Sequence, residues 1–280
     1  MGQAASSTRD VDCVIEIVAE HDLDYDSMTK PPLPTDQKTD WGPFLMDSWC
    51  SPAVSAHMVS APLLQRVLSV TEIEALRTTA TNDGYIPASM GPLQAEGVLA
   101  ELARDFDRKL DPAAAPVFVK TSMFSTRLGT TVRPCRNGAE IVRSICDSTR
   151  CLAGLGTPGV AHSIWLLPWV EQCDTMYEFR VFVRHSRVVA MCPYFCSMKL
   201  DWLSPTVAAK VATGILQFWE VVRKDTNISD AVWDVLWLPS GLKMIEFNPL
   251  FTSGGALFSW TRDAELLAGK RARPVMRIIV

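Results

Sequence analysis

Histidine is scarce in this sequence, with four among 280 residues. The eight cysteines form no CxxC pair, and their closest spacings, Cys146/Cys151 and Cys192/Cys196, are not familiar zinc-ligand pairs. A metal–thiolate centre is therefore not expected. No apolar run reaches the length of a bilayer span, and the longest, around Ile164 to Val170, contains Pro168. The N-terminus shows no secretory apolar segment, so the cysteines read as reduced, mostly buried thiols of a cytoplasmic protein. There is no GxxxxGK[ST] string and no kinase-type GxGxxG, which excludes the familiar phosphate loops. Ser122 has no His/Asp partner in the local text, so serine-hydrolase chemistry is not expected. A net charge of -4 and a pI near 5.6 leave no broad basic field, which argues against nucleic acid as the main partner.

What the chain does have is apolar mass. Hydrophobic residues make up 48% and the mean hydropathy is +0.11, enough for one large domain or two lobes. Residues 1–40 read as a flexible tail, with Val14–Val18 as a short strand or a helical turn that nothing fixes, an acidic stretch at 22–26 and a proline-rich linker at 30–38. The start, Met1-Gly2-Gln3-Ala4-Ala5-Ser6, fits the N-myristoylation pattern, and would touch a membrane only if Gly2 is acylated. Helical periodicity is expected over Pro62–Ala80 and Leu93–Leu110, and Asn137 with Glu140 marks a helix start. Cys151–Gly159 reads as a loop. Strands are expected at Val117–Lys120, Ile164–Val170, Tyr177–Val183, Val188–Tyr194, Ala231–Leu238 and Leu242–Asn248. Ser204-Pro205 opens a long helix to about Arg223. Helices and strands mix without strict alternation, which favours α+β.

The chemistry is expected on the last two of these strands. With Pro239-Ser240-Gly241 as a hairpin loop, Asp234 falls opposite Glu246. Strand alternation then puts Met244, Glu246 and Asn248 on one face and Ile245 and Phe247 on the other. Two facing carboxylates repel. A hard divalent cation such as Mg²⁺ would convert that repulsion into binding. The other reading, a hairpin with a polar wet face, stays open. Glu178-Phe-Arg-Val-Phe-Val183 carries Glu178 and Arg180 on one face, as a surface ion pair or as a guanidinium for phosphate. Lys120 ends an apolar strand, and the hydroxyl-rich loop after it reaches Arg127 and Gly129.

In order, Val117-Phe-Val-Lys120, Ser125-x-Arg127, Ile164–Trp169, Glu178–Val183, Asp234-Val235, Glu246-Phe-Asn-Pro249 and Leu257-Phe-Ser-Trp260 resemble the cell division cycle protein 123 family, a divergent branch of the ATP-grasp fold. The resemblance runs from about Leu93 to Trp260. It implies an ATP-grasp-like α+β fold, with two lobes of mixed or antiparallel sheets enclosing a nucleotide cleft. The lobes would be 41–163 and 164–280, the second with the metal site. It further implies phosphate contacts from Lys120, Ser125, Arg127 and Arg180. Adenine would lie beside the hinge at Leu166, Leu167 and Trp169, and Mg²⁺ would bind Asp234, Glu246 and Asn248. Lys120 and Arg180 are expected on the wall opposite the acids. Three departures stand out against the family pattern: Leu128 where an acid is usual, Leu167 where an arginine is frequent, and Pro193 where a glutamine is common.

By resemblance the expected function is an ATP- and Mg²⁺-binding factor, monomeric, that helps assemble translation initiation factor 2 through its gamma subunit. Two alternatives remain: an ATP-grasp ligase that activates a carboxylate as an acylphosphate, and a non-catalytic adaptor with a decayed site. Removing both Asp234 and Glu246 is expected to leave the fold intact, because surplus negative charge is lost.

Overall fold

The computed structural model describes residues 13–19, 40–79, 90–114, 116–126, 133–157, 160–171 and 173–280. The chain divides into two compact units, one formed by 41–171 and the other by 1–40 together with 172–280. Gly2 and Arg127, both singled out by the sequence, lie outside the described residues.

The 41–171 unit begins with two short helices, α1 (Met46–Trp49) and α2 (Pro52–Ser55), followed by strand β2 (Leu64–Val67) and helices α3 (Val70–Thr79) and α4 (Pro92–Lys109). Strand β3 (Val117–Thr121), helices α5 (Gly138–Cys146) and α6 (Thr149–Gly154), and strand β4 (Ser163–Pro168) complete it. The sheet runs β2-β4-β3, antiparallel throughout. Ala95, Leu99, Leu102 and Phe106 of α4 are buried at helical spacing and pack with Ile141, Ile145, Val117, Val119, Ile164 and Leu166 in one core. Asn137 caps α5 by accepting from the Glu140 N–H at 2.9 Å, and Glu140 accepts from the Arg136 N–H at 2.7 Å. Gly138 is required where α5 meets α4, because a Cβ there would lie 1.9 Å from the Ala103 carbonyl oxygen.

Two expectations in this unit change. Pro62–Ala80 is not one helix: Leu64–Val67 is a strand with alternating burial, and the helix begins after Ser69. Ser69 and Glu72 form a reciprocal capping box, with the Ser69 N–H donating to Glu72 at 2.7 Å and the Glu72 N–H to Ser69 at 3.3 Å. The segment after Cys151 is not all loop either, since Ser148 caps α6 and Cys151 and Leu152 are buried on it.

The other unit holds a six-stranded sheet. Its strands are β1 (Val14–Val18), β5 (Glu178–Arg184), β6 (Arg187–Pro193), β7 (Ala231–Leu238), β8 (Gly241–Asn248) and β9 (Val275–Ile279). Their order is β1-β9-β6-β5-β7-β8, with β1/β9 and β6/β9 parallel and the remaining pairs antiparallel. Val14–Val18 is therefore a strand and not tail, because residues 255 and 261 positions away fix it: Glu16 accepts from Arg271 (2.9 Å) and from Arg277 (2.8 Å). The unit boundary also falls after β4 rather than before it, because among the described residues β4 pairs with β2 and β3 alone.

Helix α7 (Pro205–Val222), capped by Ser204, packs Trp219 against Trp233 (ring centroids 5.2 Å apart) and Phe247 (6.3 Å). This fixes the faces of β7 and β8: Trp233, Val235 and Phe247 turn to the helix, and Asp234 turns away from it. A further short helix, α8 (Ala264–Leu267), lies between β8 and β9 in the sequence. No helix among the described residues is long and apolar enough to cross a membrane. All eight cysteines are free thiols; Cys135, Cys151, Cys192 and Cys196 are buried and Cys173 is exposed.

Candidate functional site

The hairpin brings Asp234 opposite Glu246, the register expected from the sequence. It does so by two offsetting departures. The turn is one residue shorter than expected, since Leu238 pairs with Gly241 (φ +115°) across Pro239-Ser240. A bulge between Asp234 and Val235 then inserts Ile245, restoring the pairing beyond it. The bulge has one visible consequence. Met244 pairs with Val235 and is fully buried on the α7 face, so it does not share a face with Glu246 as expected.

Asn248 lies opposite Val232 on the acid face. Its Nδ2 donates to Asp234 Oδ2 at 3.1 Å and to Glu246 Oε1 at 3.2 Å, so one amide bridges both carboxylates. Arg180 pairs with Asp234 across β5 and β7. It is on the same face as the acids, in the adjacent strand, and not on an opposite wall. Its Nε and Nη2 donate to the two Asp234 oxygens at 3.0 and 2.9 Å. Its Nη1 donates to the Gly254 carbonyl at 3.1 Å, and the guanidinium carbon stands 4.7 Å from the Tyr194 ring centroid. The pair is withdrawn from water, with side-chain exposures of 12% for Arg180 and 2% for Asp234. Burial opposes the charge on Arg180, but Asp234 outweighs it and raises the guanidinium above its ordinary range. Cys192, opposite Arg180 on β6, is pushed up to about 12 by burial, with Arg180 pulling the other way.

The donor set suits a hard cation in kind: two carboxylates and an amide, converged within hydrogen-bond distance. Among the described residues no group of three or more His, Cys, Asp or Glu side chains is arranged for a metal. Both Asp234 oxygens are already engaged by Arg180, so a cation there shares or displaces the guanidinium.

The remaining expected site residues belong to the 41–171 unit. Lys120 is buried at 6% exposure near the end of β3, in register with Trp165 and bridged to Ser125. Cross-strand partners share a face, which puts Gln65, Trp165 and Lys120 in one row and Phe118 with Leu167 in the next. Leu166 is on the other face, inside the core, and its carbonyl accepts from the Leu63 N–H at 2.8 Å. The Trp169 N–H donates to the Pro116 carbonyl at 3.0 Å. A base lying along this strand would meet the Leu167 side chain and not that of Leu166.

The sequence reading missed three contributors. Tyr194 and the Gly254 carbonyl complete the surroundings of Arg180, and no local pattern marks either. Asp47, on α1, accepts from Gln65 Nε2 at 2.7 Å, from Ser163 Oγ and from Trp165 Nε1 at 3.4 Å. Its signal was also absent, since these partners stand 18, 116 and 118 residues away.

The D123 family model matches residues 155–280, which contain Arg180, Asp234, Glu246 and Asn248 but not Lys120. No curated protein sequence matches the chain. Among solved structures, Cdc123 from Schizosaccharomyces pombe is similar at 16% identity and a TM-score of 0.62, over 85% of this chain and 96% of its own. A C-terminally truncated form of the same protein matches at 15% identity and a TM-score of 0.62, over 95% of this chain and 99% of its own. A RimK domain ATP-grasp protein from Sphaerobacter thermophilus matches at 12% identity over 77% of this chain and 61% of its own, with a TM-score of 0.35, and carries no argument. Residues 155–280 are similar to the D123 family over that span, and the chain has the fold of Cdc123.

Proposed function

We propose that this protein is an ATP- and Mg²⁺-binding assembly factor that acts in the cytoplasm on translation initiation factor 2 through its gamma subunit. The observation that carries the nucleotide part is the convergence of Asp234, Glu246 and Asn248, with Arg180 beside them, on the sheet face turned away from α7. The acid pair is fixed in register across two strands and bridged by an amide, which makes an oxygen donor set of the kind a hard cation takes. Asp234, Glu246 and Asn248 would hold the metal, which when bound neutralises phosphate oxygens. Lys120, Ser125 and Arg127 are the proposed phosphate contacts of the other unit, and Leu167 and Trp169 the proposed base neighbours, with Leu166 contributing at most backbone. The partner assignment rests on resemblance to the family.

Thermal unfolding with ATP, with Mg²⁺ and with both tests the ligand reading. Ligand at about a hundred times its dissociation constant stabilises the folded state by roughly 2.7 kcal/mol. A rise in midpoint is expected only when ATP and Mg²⁺ are present together. No rise at millimolar concentrations refutes the ligand reading. Failure of the purified gamma subunit to bind this protein refutes the partner reading separately.

A further inference from the structure

Lys120 is a lysine with 6% of its surface exposed, and lysine is seldom buried without an opposite charge nearby. An acid is fixed against the sheet row to which Lys120 belongs. Gln65, Trp165 and Lys120 form a row across β2, β4 and β3. The Asp47 carboxylate is tied to the first two members of that row, through Gln65 Nε2 at 2.7 Å and Trp165 Nε1 at 3.4 Å, and to Ser163 Oγ. The Met46 N–H donates to the Ser122 carbonyl at 2.8 Å, which fastens α1 to the turn that follows Lys120. We propose that Asp47 is a counter-ion that Lys120 shares with a bound phosphate chain, and that it gives the site a preference for metal-complexed over metal-free polyphosphate. The proposal rests on the reading of Lys120 as a phosphate contact.

The electrostatics agree with this placement. Cys50, one turn after Asp47, has its thiol pushed up to about 11, first by burial, then by the Asp47 charge, with the Lys120 charge opposing. Both charges thus act on one atom. A metal-free triphosphate approaching Lys120 meets a cation that is partly neutralised and an anion fixed beside it. A bound divalent cation cancels that repulsion, so the penalty from Asp47 falls on the uncomplexed ligand. Asp47 is a positioning residue in this scheme and takes no part in bond making.

The test compares wild type, Asp47→Asn, Lys120→Met and the double variant for binding of ATP, AMP and adenosine, in EDTA and in Mg²⁺. Asp47→Ser is a second variant should Asp47→Asn fold poorly. Asp47→Asn is expected to tighten metal-free ATP by about tenfold, the effect of one close charge. It should tighten AMP less, leave adenosine unchanged, and change ATP in Mg²⁺ by less than about threefold, since the cation screens the same charge. The gain should vanish in the Lys120→Met background. Equal shifts for ATP and adenosine, or a gain that survives without Lys120, overturn the proposal.

Peptide-resolved alkylation of Cys50 at fixed pH, without nucleotide, separates the two levels. It should quicken in Asp47→Asn and slow in Lys120→Met. Unchanged rates overturn the counter-ion placement. Wild type that binds no ATP while Cys50 responds as expected refutes the nucleotide reading and leaves the placement supported.

Discussion

Asp234→Ala is expected to damage the fold and not only ligand binding. From sequence alone its removal looks harmless, because one of two repelling acids disappears. In the structure Asp234 is the principal counter-charge of a guanidinium withdrawn from water, with side-chain exposures of 2% and 12%. The substitution removes both bonds to Asp234 and leaves Arg180 with the Gly254 carbonyl and the face of Tyr194. Breaking a buried ion pair from one side costs about 3–5 kcal/mol, because the remaining charge stays desolvated. Native domains are held by only about 5–15 kcal/mol, so the loss is a large fraction of the total. At about 2–4 °C per kcal/mol for a chain of this size class, the melting midpoint should fall by roughly 6–20 °C.

The assay is urea and thermal unfolding of wild type, Asp234→Ala, Arg180→Met and the double variant. Removing both charges should cost at least about 2 kcal/mol less than the sum of the single losses, as for coupled buried groups. A single variant within about 0.5 kcal/mol of wild type, or additive losses, would refute the reasoning, since either result means the pair is not desolvated as argued.

The ligand claim is better tested at Glu246, which is half-buried and accepts from the Asn248 amide at 3.2 Å. Glu246→Gln should weaken Mg²⁺-dependent ATP binding by about tenfold while shifting the unfolding midpoint little, as isothermal titration and a melt would show. Asp263 is held low against the upward push of burial by hydrogen bonds from Arg277 and the Ser259 N–H, so its contribution is present above the unfolded carboxylate range and is lost as pH falls through the folded value. The stability difference between wild type and Asp263→Asn should therefore be constant near neutrality and shrink below about pH 4, measured by urea unfolding across pH. Gly138→Ala should cost at least about 2 kcal/mol by the same assay, because its Cβ would lie 1.9 Å from the Ala103 oxygen and helix backbone is the neighbour that must move.

The acid pair was legible because its determinants are local: alternation along β7 and β8 and a turn between them. The bulge at Ile245 was not legible, and the expected register survived because a shorter turn and an inserted residue offset each other. Met244 exposes the difference, since its face depends on the bulge. The Arg180–Asp234 pair depends on β5 lying beside β7, a strand order that no local pattern encodes. Leu63, Leu64, Val67 and Leu68 fit a helical period as well as a strand, and the Ser69-x-x-Glu72 box that decides between them went unused. The segment Val14–Val18 could be read only as a short strand or a helical turn, because the partner that decides, β9, lies 261 residues further on at the Glu16–Arg277 contact.

That pairing has a consequence for biosynthesis. At about 5–20 residues per second, translation delivers β9 roughly ten to fifty seconds after β1 has been made. During that interval the segment Val14-Ile-Glu-Ile-Val18 lacks its strand partner, while the contiguous segment 41–171 already contains the described strands of its own sheet. The inserted unit can thus mature on the ribosome first, and nascent β1 is left open meanwhile to chaperones and to misassembly.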